Sequence, residues 1–455
     1  MNRIKTVFVS VFVFFLSSFI FAGVKEFKLS NGIPVYVDDI KGNRIDCVYI
    51  ILDGGVIYLS PEFSGLEDAA VEMMISGSKN YSYQENEDFC FEKQSSFSAF
   101  SGNTGSGISM TCIDKYFDET FDRFIDGFLN PSYESERYED LMRSYRMNIQ
   151  KTMNEPSQLV VFYADLLNYA GHPYETFSNP TESSLPNLTV PNIKKHHESL
   201  MDSRRIRVVA CGKFDDEKLV SKLESVLGSI RAKKTPLMDK AVPPLKIHGE
   251  NGLFVHEGAS GTGFLMRTFE SPSYYSEEYP VAILASNIFD DIMFNVVREK
   301  NGICYTPSSG VYSSPAGFGY EFLYRTSNLE DFPEALDEAR KIMLEGKVIA
   351  GKDSKGNYIY VPLEEKLEGY KNSYVNNKFQ RQATTSGKAG RICSSLLAFG
   401  NPYDIDKITE KALSVSDEEI VTVFKKYWID SPSRWFCVTG ADGQEKLEKT
   451  LERLK

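Results

Sequence analysis

Residues Ser64 to Ser78 read S-G-L-E-D-A-A-V-E-M-M-I-S-G-S, and this stretch decides how the rest of the chain is understood. Leu66, Ala69, Ala70, Met73 and Met74 recur at i, i+3, i+4, i+7 and i+8, the period of an amphipathic helix with one buried stripe. Asp68 and Glu72 fall one turn apart on another face. A solvated or salt-bridged face is the simplest expectation for them, because like charges at this spacing repel mildly and a hard divalent cation needs more oxygen ligands than two. Val71 can neither accept a proton nor orient water. Gly77-Ser78 and Tyr81-Ser82 follow as a short polar turn.

Outward from this helix, the composition is that of an ordinary globular protein. A length of 455 residues gives room for two to four domains, each with its own core. The formal net charge of -12, with no cluster of Lys and Arg, excludes nucleic acid as a natural partner, since phosphate binding needs concentrated basic groups. At the N-terminus Arg3 and Lys5 precede an apolar run from Val7 to Phe21 and a small-residue exit at Ala22-Gly23, the parts of an export signal. Cleavage after Ala22 and a periplasmic or secreted location are expected. The run is shorter than the ~18 residues a spanning helix needs, so an uncleaved membrane anchor is the alternative. The cysteines number seven, are scattered, and include no C-x-x-C pair. Their settings, such as Val208-Val209-Ala210-Cys211 and Trp435-Phe436-Cys437-Val438, read as small buried hydrophobes.

Strand and helix patterns then alternate. Phe27 to Val37 reads as two strands around Asn31-Gly32, and Cys47 to Leu52 as a third ending at Gly54-Gly55. Helical periodicity covers Glu67 to Ile75, Phe117 to Phe128 and Glu136 to Met153; Ile206 to Gly212 returns to strand and Glu217 to Ile230 to helix. The pattern occurs twice. Lys194-Lys195-His196-His197 followed by Arg205 to Gly212 is matched by Lys425-Lys426-Tyr427-Trp428 followed by Arg434 to Gly440. Between the halves, Lys233-Lys234, Pro236 and Pro243-Pro244 mark a linker. Glu345 to Pro362, with turn residues Asp353 to Asn357, reads as an added hairpin.

A second motif lies at Val297-Arg298-Glu299-Lys300-Asn301-Gly302-Ile303-Cys304-Tyr305. Arg298 is placed near a helix end, Asn301-Gly302 at its cap and Tyr305 on the following strand.

Both motifs resemble those of the pitrilysin/insulinase-type (M16) peptidases. The flanks Gly65-Leu66, Met73-Met74 and Gly77-Ser78 fit the family's zinc helix, and Arg298 to Tyr305 fits its R-E-x-x-G-L-x-Y. The resemblance implies an α+β fold of two homologous M16-type domains, each with helices packed on a mainly antiparallel sheet. The expected bounds are a signal peptide at 1–22, a first domain at 23–232, a linker at 233–245 and a second domain at 246–455. In the family the zinc helix carries H-x-x-E-H, with a distant Glu as third ligand. Here those positions hold Asp68, Val71, Glu72 and, by counting on, Asn148. Ligands and base are therefore absent, no metal is expected in this chain, and zinc is expected in a partner. The histidines offer no substitute: adjacent His196 and His197 diverge on a helix, and His172, His248 and His256 are isolated. Family members use the Arg and Tyr of the second motif to hold substrate and its developing oxyanion at a facing zinc site, a task suited to a guanidinium and a phenol. The alternative is that Arg298 pairs with a nearby carboxylate and Tyr305 packs in the core. Ser98-Ala99-Phe100 aligns with the family's strand whose edge pairs with bound peptide, which needs only backbone groups; an ordinary sheet strand is the alternative.

The function expected is that of a non-catalytic homologue, not active alone, that joins a zinc-bearing M16 subunit as a heterodimer, supplies Arg298 and Tyr305, and helps enclose a peptide substrate. The alternative is a peptide-binding or scaffold protein, as a homodimer, with no part in catalysis.

Overall fold

The structure, a computed structural model, describes residues 23–237, 241–326 and 328–454. The expected export signal, and residues 238–240 of the expected linker, lie outside the described residues.

The first half runs β1 (Lys25–Lys28), β2 (Pro34–Asp39), β3 (Ile45–Asp53), α1 (Leu66–Ile75), α2 (Tyr83–Lys93), β4 (Ser96–Ser101) and β5 (Gly105–Ile113). It continues with α3 (Phe117–Leu129), α4 (Ser135–Asn154), α5 (Pro156–Asn168), α6 (Val190–Leu200), β6 (Ile206–Gly212) and α7 (Asp216–Leu227). The second half runs β7 (Gly252–Val255), β8 (Gly263–Glu270), α8 (Tyr279–Met293), β9 (Cys304–Val311), β10 (Phe318–Thr326) and α9 (Phe332–Leu344). Then come β11 (Lys347–Lys352), β12 (Tyr358–Pro362), α10 (Glu364–Arg381), α11 (Thr385–Phe399), α12 (Asp404–Ser414), α13 (Asp417–Phe424), β13 (Ser433–Thr439) and α14 (Gln444–Arg453). Each strand and helix expected from periodicity is present within a few residues. The hairpin β11–β12 closes where Asp353 accepts from the backbone N–H of Lys355 and Asn357.

The two large sheets share a five-strand order, to which the first adds β1 at its edge. The first has the order β1-β2-β6-β3-β5-β4 and the second β7-β13-β8-β10-β9. In each, one parallel pair (β2 with β6, β7 with β13) is followed by antiparallel neighbours. The late strand of each half, β6 or β13, thus inserts beside the early ones, as the repeated helix-turn-strand sequence implies.

Strand alternation gives each sheet two apolar faces. Val48, Ile50, Val208 and Ala210 point into a core with α1, α3 and α6, while Phe269, Leu323 and Cys437 point into one with α8 and α9. The opposite faces are covered reciprocally. Cys47, Ile51, Val209 and Cys211 of the first sheet pack under Ala389, Ile392 and Leu396 of α11, from the second half. Phe264, Met266, Phe436 and Val438 of the second sheet pack under Leu159, Val160 and Ala164 of α5, from the first half. Burying such side chains contributes ~1.5–3 kcal/mol apiece, so this exchange fastens the halves together. All seven cysteines are free thiols, six of them buried, in keeping with their apolar settings.

Two glycines fix the approach to α1. Gly65, at its N-cap with φ +83°, has no room for a Cβ, which would lie 2.7 Å from the Pro180 nitrogen. Gly127 on α3 sits so close that a Cβ would fall 2.3 Å from the Met74 carbonyl oxygen.

Candidate functional site

Helix α1 buries more than its expected stripe. Leu66, Ala69, Ala70, Met73 and Met74 are buried as predicted, but so are Val71 and Glu67, both fully. Glu67 accepts from Ser106 Oγ at 2.5 Å and meets His196 Nε2 at 2.5 Å. Burial pushes its carboxyl upward, yet His196 and the Ser106 bond outweigh this and hold it below its ordinary range. His197 turns the other way, to the Phe128 carbonyl at 2.9 Å, so the two histidines diverge as expected.

The solvated face expected for Asp68 and Glu72 is not what forms. Strand β4 and helix α4 pack against α1 on that side, and both carboxyls are half-buried. Asp68 accepts from Ser101 Oγ at 2.7 Å and from the Tyr145 hydroxyl at 2.6 Å. Glu72 is pushed up to about 7, by burial first and then by Asp68, against the pull of Arg137. Asn148 lies three residues beyond Tyr145 on α4 and is exposed. Asp68, Val71, Glu72 and Asn148 therefore present no imidazole or thiolate, and Asp68 already holds two donors, a set that does not fit zinc. Among the described residues no group of three His, Cys, Asp or Glu is placed to hold a metal ion.

Ser98, Ala99 and Phe100 lie on β4, which is an edge of the first sheet and among the described residues pairs with β5 alone. On the second half, Arg298 sits in a single π-helical turn, Phe294–Lys300, that continues α8, and Gly302 leaves it with φ +60°. Tyr305 follows on β9 and is 66% exposed, which excludes the core-packing alternative. The Arg298 guanidinium lies 4.7 Å from the Phe294 ring and 4.9 Å from the Tyr305 ring, and Nε is 3.4 Å from the neighbouring Glu299. Glu299 is the kind of nearby carboxylate that the alternative reading assigned to Arg298. Among the described residues, neither forms a hydrogen bond or ion pair with α1.

A cavity of about 860 Å³ opens between the halves, and sequence reasoning missed it. Tyr145 and Asn148 of α4 line it from one side, Asp165 of α5 with Tyr169 and Tyr174 from another, and Tyr312 to Pro315 with Phe318 close it from the second half. The Tyr169 ring lies 5.7 Å from Tyr174 and 6.1 Å from Phe318, which stacks at 4.9 Å on Tyr312. Burial alone pushes Asp165 up to about 7. The density of aromatic residues between Phe162 and Phe177 was the one signal available in the sequence. The cavity reaches the lost motif directly, since the Tyr145 hydroxyl that bonds Asp68 belongs to a residue in its wall.

Residues 187–347 match the family model described as Peptidase M16 inactive domain. Solved structures agree in fold. The chain is similar to a peptidase M16 inactive domain from Pseudomonas fluorescens, with a TM-score of 0.77 and 14% identity over 92% of this chain and 98% of that one. It is similar to a protease from Helicobacter pylori, with a TM-score of 0.76 and 12% identity over 92% and 99%. The periplasmic protease PqqL from Escherichia coli gives a TM-score of 0.70 and 17% identity over 92% of this chain and 45% of that one. No curated protein matches the chain in sequence.

Proposed function

We propose that this chain, whose residues 187–347 match the M16 inactive-domain model, is a non-catalytic subunit that works beside a zinc-bearing M16 chain. Two homologous domains, 23–232 and 246–455, are joined by the linker at 233–245; the shared strand order of the two sheets supports this division. The protein is exported and works in the periplasm, in line with the periplasmic protease of similar fold. Its partner holds the zinc and the general base. This chain contributes Arg298 and Tyr305, together with the β4 edge at Ser98, Ala99 and Phe100, along which an extended peptide adds as a further strand.

One observation carries the reading. Tyr305 is exposed with the half-buried Arg298 guanidinium 4.9 Å from its ring, while the chain's own zinc-motif positions hold Asp68, Val71 and Glu72, with Asp68 bonded by Tyr145 and Ser101. A guanidinium stacked on a phenol is held in place at little entropic cost and offers several donors to a developing oxyanion. It has no such oxyanion to serve within its own half.

The test is purification from the native cell, followed by peptide hydrolysis by the complex. Arg298→Ala is expected to lower kcat about 100-fold, on the order of what loss of an oxyanion donor costs, with assembly unchanged. Should the protein elute alone, and a zinc-bearing homologue keep full activity without it, the proposal fails and a scaffold or peptide-binding homodimer takes its place.

A further inference from the structure

The cavity between the halves has a chemistry of its own, separate from the Arg298 and Tyr305 pair. Its volume of about 860 Å³ falls within the range of small-ligand sites. Tyr145, Tyr169, Tyr174, Tyr274 and Tyr312 supply rings to its wall, among polar residues such as Gln158 and Ser314. Into this setting α5 places Asp165. Among the described residues no cation forms an ion pair with it and no side chain donates to it. Asp165 is half-buried and faces the open cavity without such a partner, so its carboxyl is free to pair with a charge that arrives from solvent. The faces of aromatic rings carry negative charge density and attract cations in the same way.

We propose that this cavity binds an organic cation, an ammonium or guanidinium group, with Asp165 as its counter-charge and the Tyr169, Tyr174 and Tyr312 rings as its walls. A cation of this class comes either from a Lys or Arg side chain of a polypeptide or from a free amine. The first source rests on the peptide-binding reading given above; the second does not.

Proton linkage follows from the surroundings. Burial raises Asp165 to about 7, so its carboxyl takes up and gives off a proton in the neutral range. The phenols of Tyr169 and Tyr312 face it and are themselves pushed upward, by burial first and by Asp165 in part, so they stay neutral. Tyr174 is raised to about 12 by burial. The Tyr145 and Tyr274 phenols are also raised above their ordinary value, so they too stay neutral. The charged groups facing the same space are Lys151 and Glu182, both exposed. Cation binding therefore draws the Asp165 proton off, and affinity rises with pH between about 6 and 8.

The experiment is isothermal titration calorimetry on the mature chain with three probes: butylguanidinium, a hexapeptide with one central arginine, and the same peptide with citrulline in its place. Butylguanidinium is expected to bind, about ten-fold tighter at pH 8 than at pH 6, and Asp165→Asn to weaken it at least ten-fold. Because Asp165→Asn removes an unpaired charge that partial burial disfavours, its thermal stability at pH 8 should equal or exceed that of the parent, which separates lost binding from lost folding. If the arginine peptide binds and the citrulline peptide does not, the source is a polypeptide; if only butylguanidinium binds, it is a free amine and the peptide-binding reading fails while this one stands. Absence of butylguanidinium binding, or equal binding by Asp165→Asn, overturns the proposal. Equal binding of both peptides alongside that result leaves the peptide-binding reading intact.

Discussion

Replacing Glu72 with Gln tests whether the Asp68 and Glu72 pair on α1 forms a half-buried acidic site. In the folded chain the Glu72 carboxyl is raised from 4.5 to about 7, chiefly by burial and next by Asp68 one turn before it. A displacement of that size corresponds to on the order of 3 kcal/mol. Between those two pH values the native state holds a proton that the unfolded state has lost. The stability associated with that proton is complete below about pH 4.5 and is lost as the pH rises through 7. Glu72→Gln keeps the shape and removes the ionisation. The variant should match the parent at pH 4 and exceed it by about 2–3 kcal/mol at pH 8.5. Urea unfolding followed by circular dichroism at a series of pH values measures the difference, and Asp68→Asn in the same series should shrink it by removing the second cause. An offset between parent and Glu72→Gln that stays constant from pH 4 to 8.5, or a variant less stable at pH 8.5, would refute the reasoning.

Three further outcomes concern the scaffold around the sites. In a double-mutant cycle, Glu67→Ala and His196→Ala should each destabilise by about 3 kcal/mol, because each leaves a buried partner uncompensated, with a coupling of at least about 1 kcal/mol; strictly additive losses would show that the 2.5 Å contact carries no energy. Glu321 is fully buried between Arg267 at 3.2 Å and Arg340 at 2.9 Å. Glu321→Ala should cost about 3–5 kcal/mol by leaving two guanidinium groups in the second core without a counter-charge, measurable as a lowered thermal midpoint. Gly127→Ala forces α3 away from the Met74 carbonyl, and should raise hydrogen exchange in α1 and α3 while leaving α8 and β10 unchanged.

Much of the fold was legible because its signals are local. The α1 stripe, the Asn31-Gly32 turn, the hairpin at Asp353 to Asn357 and the doubled helix-turn-strand unit are each written within a dozen residues. The Arg298 and Tyr305 pair was equally legible, since a helix end, a glycine cap and a strand start fix their relation. What the sequence hid depends on distant segments. Asp68 and Glu72 read as a solvated face because nothing near them announces that Tyr145 and Ser101 will close over it. Asp165 has no local mark at all, since its cavity is completed only when Tyr312 and Phe318 arrive from the other half. The reciprocal covering of each sheet by α5 and α11 likewise has no local mark, because both helices carry an apolar face that would suit many neighbours.

The central claim is that this chain, lacking zinc chemistry of its own, completes a partner's active site. It is tested most directly by the peptide-hydrolysis rate of the zinc-bearing subunit alone, with this chain added, and with the Arg298→Ala variant added. The account predicts a slow rate alone, a rate about 100-fold higher with the parent chain, and a return to the slow rate with Arg298→Ala. Equal rates in all three measurements would contradict it.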